Sequence, residues 1–445
     1  MLTSKRFEDY GNMIQRLYRR GDTQNMAACR EITFQVTSGC NLRCSYCYEH
    51  HKGQQHMSLD TAKDICNLIL DMFEHPDRDS DFINENSKAV VLTFIGGEPL
   101  LEAALIEKIC DYWFDEVYRR RLPLAPFTRI SFATNGLLWF TPDAQHLIRK
   151  YHSQMSVTVS IDGVQELHDR FRVDENGKGS FSAAFRAFQD GKQYGWYHSK
   201  MTFVPGSFKY IFDSVKMMVE EGCLKVACNY AYEPVYSESD AAALYEQLRK
   251  LADWLIDEHK EAYVTMLGDH VGYPDSVNDR NFCGGTGEML AFAPDGKAYP
   301  CIRYAPISIG EEKANMVCIG SNKGLWATEE QQEVRKELGA ITRSSQSTKE
   351  CMECPVAAGC GWCSGYNYEC TGSPNKRITN ICLAHKARSL ACAYYYNRRY
   401  FQIGDVNPIK IFLPRDEAEK LIGIANTEEL YKLEAQAALA KAAEK

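Results

Sequence analysis

The feature that most constrains the fold is a regular alternation of short apolar runs with longer amphipathic stretches between residues 31 and 233. The runs are rich in β-branched residues and predict strands, whereas the stretches carry apolar residues at helical spacing. The predicted strands are 31–37, 89–95, 129–134, 155–161, 200–204 and 224–230. The predicted helices are 58–73, 101–121, 141–152 and 208–221. This order is typical of a parallel sheet with helices outside it, so we predict an α/β fold built on a partial, TIM-like (β/α)6 barrel.

The predicted strands end in turns that are rich in glycine and polar residues. In parallel α/β folds, binding sites form where the carboxyl ends of the strands meet. We therefore expect a functional site at the turns S-G-C, G-G-E-P, N-G and D-G, which follow four of the strands.

The pattern of the sequence changes beyond the barrel. Leucines at helical spacing predict a helix over 239–262, and residues 288–301 predict a hairpin around a Pro-Asp-Gly turn. Residues 345–382 are rich in Cys and Gly and poor in apolar periodicity, so this part would need metal to hold a fold. We predict an N-terminal helical segment at 1–30, the barrel at 31–238 and linking helices at 239–275. A Cys-rich domain at 276–395 and a helical tail at 396–445 follow.

Charge and hydropathy exclude two classes of partner. The formal net charge of −8 argues against nucleic-acid binding, which usually needs a basic patch or stripe. The sequence lacks a signal peptide at its start and an apolar run of about 18 residues anywhere, so we expect no membrane association. We expect a cytoplasmic protein.

Cysteine is used in an unusual way for such a protein, with eighteen in 445 residues. Disulfides are rare in the reducing cytoplasm, so closely spaced cysteines there indicate metal or redox sites. The thiols crowd into residues 40–47 and 351–370. Scattered cysteines are predicted to be buried and structural: Cys29, Cys66, Cys110, Cys223 and Cys228.

Three cysteines follow the first predicted strand at short spacing, in C-N-L-R-C-S-Y-C. Cys40, Cys44 and Cys47 could hold one inorganic centre, although structural zinc sites commonly pair C-x2-C with a second, distant pair. Iron–sulfur cubanes usually take four thiolates, so three would leave one iron open to a small molecule. On spacing alone, a cubane, a zinc ion and simple packing all remain open.

The C-x3-C-x2-C motif, with an aromatic residue before the last Cys, resembles the signature of the radical S-adenosylmethionine (SAM) family. The resemblance implies that Cys40, Cys44 and Cys47 hold a [4Fe–4S] cluster whose free iron is chelated by the amino and carboxylate groups of SAM. An electron from this cluster, supplied by a flavodoxin- or ferredoxin-type donor, would cleave SAM to a 5′-deoxyadenosyl radical, which abstracts hydrogen from the substrate.

Further residues resemble the parts of the family's sequence that bind SAM. G-G-E-P, which includes Gly96, Gly97 and Glu98, resembles the motif that binds the SAM amino group; glycines let the backbone approach a ligand, and a carboxylate suits an ammonium. We expect Tyr46 at the adenine and Asn135 in a strand-end turn near SAM. We expect Ser160 at the ribose and Arg172 at the carboxylate. Packing, capping or surface roles are the alternatives for these residues.

The C-terminal cysteines resemble the SPASM extension, which carries auxiliary [4Fe–4S] clusters in radical SAM enzymes that modify peptides and proteins. The resemblance implies one cluster on Cys351, Cys354, Cys360 and Cys382. It implies a second on Cys283, Cys301 and Cys363, which makes three [4Fe–4S] clusters in all. Cys363 follows Cys360 one residue sooner than is usual. The fourth ligand of the second cluster is open: Cys318, Cys370 or a substrate thiolate could fill it.

The sequence also bears on the substrate. Ile302 follows Cys301 where sulfatase-maturing relatives carry an Asp base, which argues against formylglycine formation. The segment C-G-W-C-S-G-Y-N-Y-E resembles maturases of Cys-repeat precursor peptides, of the thioether-forming ranthipeptide type. We therefore expect a peptide maturase that links a Cys sulfur to carbon. The alternatives are C–C crosslinking, epimerisation, a sulfatase maturase-like activity, or a non-catalytic iron–sulfur or zinc protein.

Recognition of the precursor and the general base are less constrained. Only some 30 residues precede the first predicted strand, so we expect a separate leader-binding protein or the core itself to bind the precursor. A basic helical face or a solvated surface could hold Arg16, Arg19 and Arg20. Candidate bases by position are Asp162, Asp169, Glu233 and Asp269.

Overall fold

The computed structural model describes residues 28–76, 82–84, 87–268, 279 and 283–443. The basic residues near the N-terminus and the candidate base Asp269 lie outside these ranges. Along the ranges, every helix is too short or too polar to cross a membrane.

The strands of the described residues agree with the predicted order. They are β1 Ala28–Thr37, β2 Ser87–Gly96, β3 Thr128–Thr134, β4 Met155–Ser160, β5 His198–Phe203, β6 Lys225–Tyr230, β7 Tyr263–Val264, β8 Met289–Phe292, β9 Lys297–Tyr299, β10 Gly320–Ser321 and β11 Gly324–Leu325.

The α-helices alternate with strands as far as β6 and dominate the C-terminal part. They are α1 Leu59–Glu74, α2 Ala103–Arg119, α3 Pro142–Tyr151, α4 Gln165–Phe171, α5 Phe181–Gly191, α6 Ile211–Glu220, α7 Glu238–Asp257, α8 Pro306–Ile309, α9 Glu311–Met316, α10 Glu329–Gly339, α11 Arg343–Gln346, α12 Lys349–Met352, α13 Ser364–Thr371, α14 Cys382–Gln402, α15 Arg415–Ile422 and α16 Ile424–Ala443.

The chain divides into two compact units. The first comprises residues 1–43, 47–158 and 282–341. In it β1 pairs in parallel with β2, and β2 with β3, as the sequence predicts. The predicted hairpin forms from β8 and β9, and β8 adds in parallel to the other edge of β1. The hairpin that lies between Cys283 and Cys301 is therefore part of this unit's sheet.

The core of the first unit is built on alternate residues of its parallel strands. Ile32, Phe34 and Val36 of β1 are fully buried, and Phe34 stacks on Phe94 of β2 with ring centroids 5.4 Å apart. Helices α1 and α2 pack on each other and bury apolar faces. Period-two burial along the strands and helical spacing along α1 and α2 are the two patterns that allow these elements to be predicted.

The second unit comprises residues 44–46, 159–281 and 342–445. Its parallel sheet is formed by the end of β4 with β5, β6 and β7. Helix α7 packs on α14, where Tyr394 Oη donates a hydrogen bond to Asp253 (2.7 Å) and Arg398 pairs with Asp257 (2.8 Å).

Helix α14 is absent from the predicted elements, although it is the longest helix in the described residues and largely buried. Its inward positions are mostly small, including Ala384, Ala387 and Ala391. A face of alanines lets helices approach closely but gives only weak apolar periodicity in the sequence, which explains why it escaped notice.

The helical tail is broken where the chain turns from α15 to α16. Gly423 adopts φ 81°, a conformation that glycine adopts without steric cost, and it ends α15.

One prediction about the scattered cysteines is wrong. Four of them are buried, as expected: Cys66, Cys110, Cys223 and Cys228. Cys29 is exposed, because it lies at the start of β1, ahead of the buried run that begins near Ile32.

Candidate functional site

The loop that follows β1, called the cysteine loop below, carries Cys40, Cys44 and Cys47. All three are half-buried. Two of these sulfurs accept hydrogen bonds within the first unit. The backbone N–H of Leu42 donates to Cys40 Sγ (3.4 Å), and Lys52 Nζ donates to Cys47 Sγ (3.1 Å). Partial burial opposes the charge of Lys52, but the sulfurs of Cys47 and Cys40 outweigh it and raise the pKa of Lys52.

Backbone hydrogen bonds close the base of this loop. Ser38 N–H donates to Gln55 O (2.9 Å), Gly53 N–H donates to Ser38 O (3.1 Å), and Met57 N–H donates to Val36 O (2.9 Å). The two ends of the loop are therefore fixed to each other by protein atoms alone.

The spacing of the sulfurs bears on which metal centre they fit. In the part of the chain that the structure describes, no three Cys, His, Asp or Glu side chains converge closely enough to hold a single metal ion. Thiolates around one tetrahedral zinc would lie about 3.8 Å apart. A cubane spreads its ligands over separate irons, so three thiols on one loop are a donor set that a cluster with one open iron could take.

The G-G-E-P turn after β2 packs directly on the cysteine loop. A Cβ on Gly96 would lie 2.6 Å from Thr37 O, and one on Gly97 would lie 2.6 Å from Cys40 Cβ. The backbone N–H of Glu98 donates to Gly39 O (2.9 Å). Only glycines allow this approach, so the turn and the loop form one rigid corner.

Glu98 joins the ends of two strands. Its carboxylate is 1% exposed and accepts hydrogen bonds from Thr134 Oγ1 (2.6 Å), Asn135 N–H (2.9 Å) and Leu100 N–H (3.1 Å). Asn135 in turn donates through Nδ2 to Asn41 Oδ1 (2.7 Å) in the cysteine loop. The structure therefore brings the predicted residues of β2, β3 and the loop together within the first unit.

In the second unit Arg172 pairs with Asp162, two residues beyond β4. Arg172 donates through Nε to Asp162 Oδ2 (2.8 Å) and through Nη2 to Oδ1 (3.3 Å). Tyr46 Oη and the Thr202 N–H also donate to this carboxylate, which is fully buried. Burial disfavours the charge of Arg172, but Asp162 outweighs it and raises the Arg172 pKa.

Tyr46 links this pair to the cysteine loop. The guanidinium of Arg172 lies over the Tyr46 ring, 5.4 Å from its centroid, and Ser45 N–H donates to Phe171 O (3.1 Å). The predicted residues Tyr46 and Arg172 therefore meet, and Asp162 holds both.

A neutral histidine supports Arg172 from behind. Asp162 N–H donates to His168 Nδ1 (3.3 Å), so the proton is on Nε2, which donates to Ser180 Oγ (3.0 Å). Ser180 then donates to Arg172 O (2.8 Å). Burial, and next the nearby Arg172 charge, lower the pKa of His168 to about 4.

Ser160 and the candidate bases occupy less specific positions. Ser160 ends β4, half-buried and in register with Lys200 of β5. Asp162 is committed to Arg172, and Asp169 accepts hydrogen bonds from Phe181 N–H (2.8 Å) and Gln165 Nε2 (3.1 Å). Both aspartates therefore serve the local structure of the second unit.

Four of the C-terminal cysteines lie near one another in the second unit. Burial, and then the charge of Cys360 and Cys351, raises the pKa of Cys382 to about 11. Burial also raises the pKa of Cys360, with Arg377 opposing and Cys354 and Cys351 adding to the rise. The four thiols that the resemblance assigns to one cluster therefore influence one another, and the cluster itself stays a prediction.

The remaining cysteines are divided between the units. Cys283 and Cys301 flank the hairpin of the first unit, and Cys363 caps α13 in the second, where its sulfur accepts from Tyr366 N–H (3.5 Å). Cys318 donates to Gly320 O (3.3 Å), and Cys370 is exposed. The grouping of Cys283, Cys301 and Cys363 in one cluster stays a prediction.

Tyr48 lies between the cysteine loop and the segment after the hairpin. The guanidinium of Arg303 lies 4.7 Å from the centroid of its ring. Burial, and then Glu49, raise the Tyr48 pKa; Arg303 opposes this, and Cys47 and Cys301 add to it. Within the first unit, Tyr48 therefore lies near Cys47 of the cysteine loop and near Cys301 of the C-terminal cysteines.

Sequence reasoning missed the roles of Asp162, His168, Ser180 and Lys52. Asp162 stands out in the sequence only through the D-G turn after β4, and nothing local pairs it with Arg172. Lys52 carries no signal beyond its place five residues after Cys47.

Comparison with known proteins agrees with this geometry. The family model described as "Radical SAM superfamily" matches residues 34–209, which include the cysteine loop, the G-G-E-P turn and Arg172. Residues 34–209 are therefore similar to a radical SAM domain. The parallel sheets with outer helices are the α/β fold expected of such a domain.

Two curated relatives of this chain are distant in sequence. An uncharacterized protein of Methanocaldococcus jannaschii is 28% identical over 199 residues, which cover 44% of this chain and 61% of that protein. This chain thus matches less than two thirds of that relative. The mycofactocin maturase MftC of Mycolicibacterium smegmatis is 24% identical over 343 residues, covering 73% of this chain and 74% of MftC.

A solved structure shares the fold over most of this chain. The structure of anSMEcpe with bound AdoMet (SAM) and Cp18Cys peptide matches with a TM-score of 0.59 and 17% identity. The match covers 85% of this chain and 99% of anSMEcpe. The similarity in fold therefore extends beyond residues 34–209.

Proposed function

We propose that this protein is a radical SAM/SPASM peptide maturase that installs thioether crosslinks in a Cys-containing precursor peptide. The observation that carries the proposal is the rigid corner formed by the cysteine loop and the G-G-E-P turn. Cys40, Cys44 and Cys47 are the donor set for a cluster with one open iron, and Gly97 brings the backbone against Cys40. When bound, the cluster and SAM supply a carbon-centred radical that can take hydrogen from an unactivated carbon.

The residues of this chain bind and orient SAM. The backbone of Gly96 and Gly97 is assigned to the SAM amino group. Glu98 fixes this turn to β3 and, through Asn135, to the cysteine loop. Arg172 is assigned to the SAM carboxylate and Ser160 to the ribose. Two of the guanidinium nitrogens of Arg172 are held by Asp162, which leaves the Nη1 edge to meet a carboxylate in a fixed orientation.

The C-terminal cysteines support a peptide as substrate. We assign an auxiliary cluster to Cys351, Cys354, Cys360 and Cys382, whose thiols influence one another. Cys283 and Cys301 flank the hairpin beside β1. The relative MftC is a mycofactocin maturase, and anSMEcpe has been solved with bound AdoMet and Cp18Cys peptide. Ile302 after Cys301 disfavours formylglycine formation, so thioether formation is preferred for this chain.

The test is anaerobic reconstitution followed by two measurements. Protein with three cubanes should bind about twelve irons and form 5′-deoxyadenosine when reductant and SAM are added. A Cys40→Ala/Cys44→Ala/Cys47→Ala variant should keep about eight irons and form none. Two zinc ions and no SAM cleavage in the wild-type protein would contradict the proposal.

The bond formed is tested by co-expressing a Cys-containing peptide encoded beside the gene. A thioether lowers the peptide mass by two hydrogens and protects that Cys from alkylation. A modified peptide whose cysteines are all alkylated would instead indicate C–C crosslinking, and an unchanged mass with an inverted residue would indicate epimerisation.

A further inference from the structure

The ammonium of Lys52 is in direct contact with Cys47 Sγ in the cysteine loop. Lys52 is half-buried, and its Nζ lies 3.1 Å from Cys47 Sγ and 3.2 Å from Glu49 O. Hydrogen bonds to the sulfurs are among the features that set the reduction potential of an iron–sulfur cluster. Lys52 supplies such a bond together with a full positive charge.

The chain fixes the backbone on both sides of Lys52. His51 N–H donates to Ile307 O (3.0 Å), and Gly53 N–H donates to Ser38 O (3.1 Å). The ammonium is therefore held beside Cys47 before any electron arrives, and little reorganisation is needed when the charge of the site changes.

A cubane held by three thiolates is an anionic site whose negative charge increases on reduction. A cation at hydrogen-bond distance stabilises the reduced state more than the oxidised one, because the attraction grows with the charge of the cluster. We propose that Lys52 is a positioning residue that raises the reduction potential of the cluster on Cys40, Cys44 and Cys47 and so eases its reduction by the electron donor. This role rests on the proposed function, which places a cluster there.

Arg43 in the same loop provides a matched control. It is exposed and donates through Nη1 to Cys40 O (2.6 Å) and Leu42 O (3.0 Å), so it contacts carbonyl oxygens and its charge is screened by water. Arg43 and Lys52 therefore both lie in the cysteine loop, but Arg43 contacts backbone oxygens whereas Lys52 contacts the Cys47 sulfur.

The experiment is a redox titration of the reconstituted protein. It is monitored through the EPR signal that changes when SAM is added. That response identifies the cluster of the cysteine loop among the three. In Lys52→Met, the ratio of reduced to oxidised cluster at a fixed potential should fall about tenfold, which is ~59 mV for a one-electron couple. Lys52→Arg should retain most of the wild-type ratio, and Arg43→Met should change it less than twofold.

Lys52→Gln keeps a hydrogen-bond donor without the charge, and it supplies the measurement if Lys52→Met loads iron poorly. Its midpoint should also fall. Normal iron content with wild-type midpoints in both variants would overturn the role of Lys52 while leaving the proposed function intact. A wild-type protein without any SAM-responsive signal would overturn the cluster assignment first, and the role of Lys52 with it.

Discussion

Replacing Asp162 by Asn isolates the part of the site that orients Arg172. Asp162 is fully buried and Arg172 is 9% exposed, and two hydrogen bonds join them. Removing one partner of a buried ion pair costs roughly 3–5 kcal/mol, because the other charge stays buried without compensation. The one oxygen of Asn can still accept from Thr202 N–H, and its Nδ2 can donate to Tyr46 Oη, so we expect the lower end, about 3 kcal/mol in the free energy of unfolding of the second unit.

The assay is urea unfolding of the anaerobically purified protein by circular dichroism, with SAM affinity measured by calorimetry on the same samples. A loss of about 3 kcal/mol should accompany at least tenfold weaker SAM binding, since Arg172 loses its fixed orientation. Asp169→Asn is the matched control. Asp169 accepts hydrogen bonds from a backbone N–H and an amide, and because both of these donors are uncharged its replacement should cost about 1 kcal/mol.

A double variant completes the argument. Asp162→Asn with Arg172→Met removes both charges and should recover part of the lost stability, giving a positive coupling between the two sites, but it should not recover SAM binding. If Asp162→Asn keeps stability within 1 kcal/mol and SAM affinity within twofold, the pair does not carry the role assigned to it.

Three further predictions follow from separate features of the two units. Gly97→Ala would place a Cβ 2.6 Å from Cys40 Cβ and should lower iron on the cysteine loop by more than half; Gly339→Ala, with open space around it, should leave the iron unchanged. The folded pKa of His168, about 4, lies below its unfolded value of about 6.5. Its contribution to stability is therefore present above pH 6.5 and is lost as the pH falls to 4, by up to about 3 kcal/mol. Urea midpoints at pH 7.5 and pH 5 should differ less in His168→Gln than in wild type. Cys360→Ser should remove about four of about twelve irons, whereas Cys392→Ser, a buried thiol in α14, should remove none, and equal iron in both variants would contradict the cluster assignment.

The parts of the fold that could be predicted are those with a local signal. Alternating β-branched residues mark β1 to β6, and the Pro-Asp-Gly turn marks the hairpin of β8 and β9, because backbone preferences and period-two burial act over a few residues. The cysteine loop and the G-G-E-P turn could be found for the same reason: their chemistry depends on residues close together in the chain.

The parts that escaped prediction depend on contacts between distant residues. Asp162 meets Tyr46 across 116 positions in the chain, and α14 is buried through alanines that leave little trace in the pattern. Cys29 was misplaced for a related reason, since burial of a cysteine depends on which elements cover it. Lys52 could be seen only once the loop had closed on itself.

The two groups of cysteines differ in how much the protein itself fixes them. The loop after β1 is closed at its base by backbone hydrogen bonds and tied to the β2 and β3 turns through Glu98, Asn135 and Asn41, so its ligands are largely ordered before a cluster binds. The segment from Thr342 to Thr371 contains only the short helices α11, α12 and α13, and it has little regular structure to order Cys351, Cys354 and Cys360. Metal binding contributes most to folding where the chain orders least by itself. A preordered loop suits a cluster that must exchange an electron and hold an exchangeable ligand with little rearrangement. The proposed C-terminal cluster would instead gain its stability together with the fold around it.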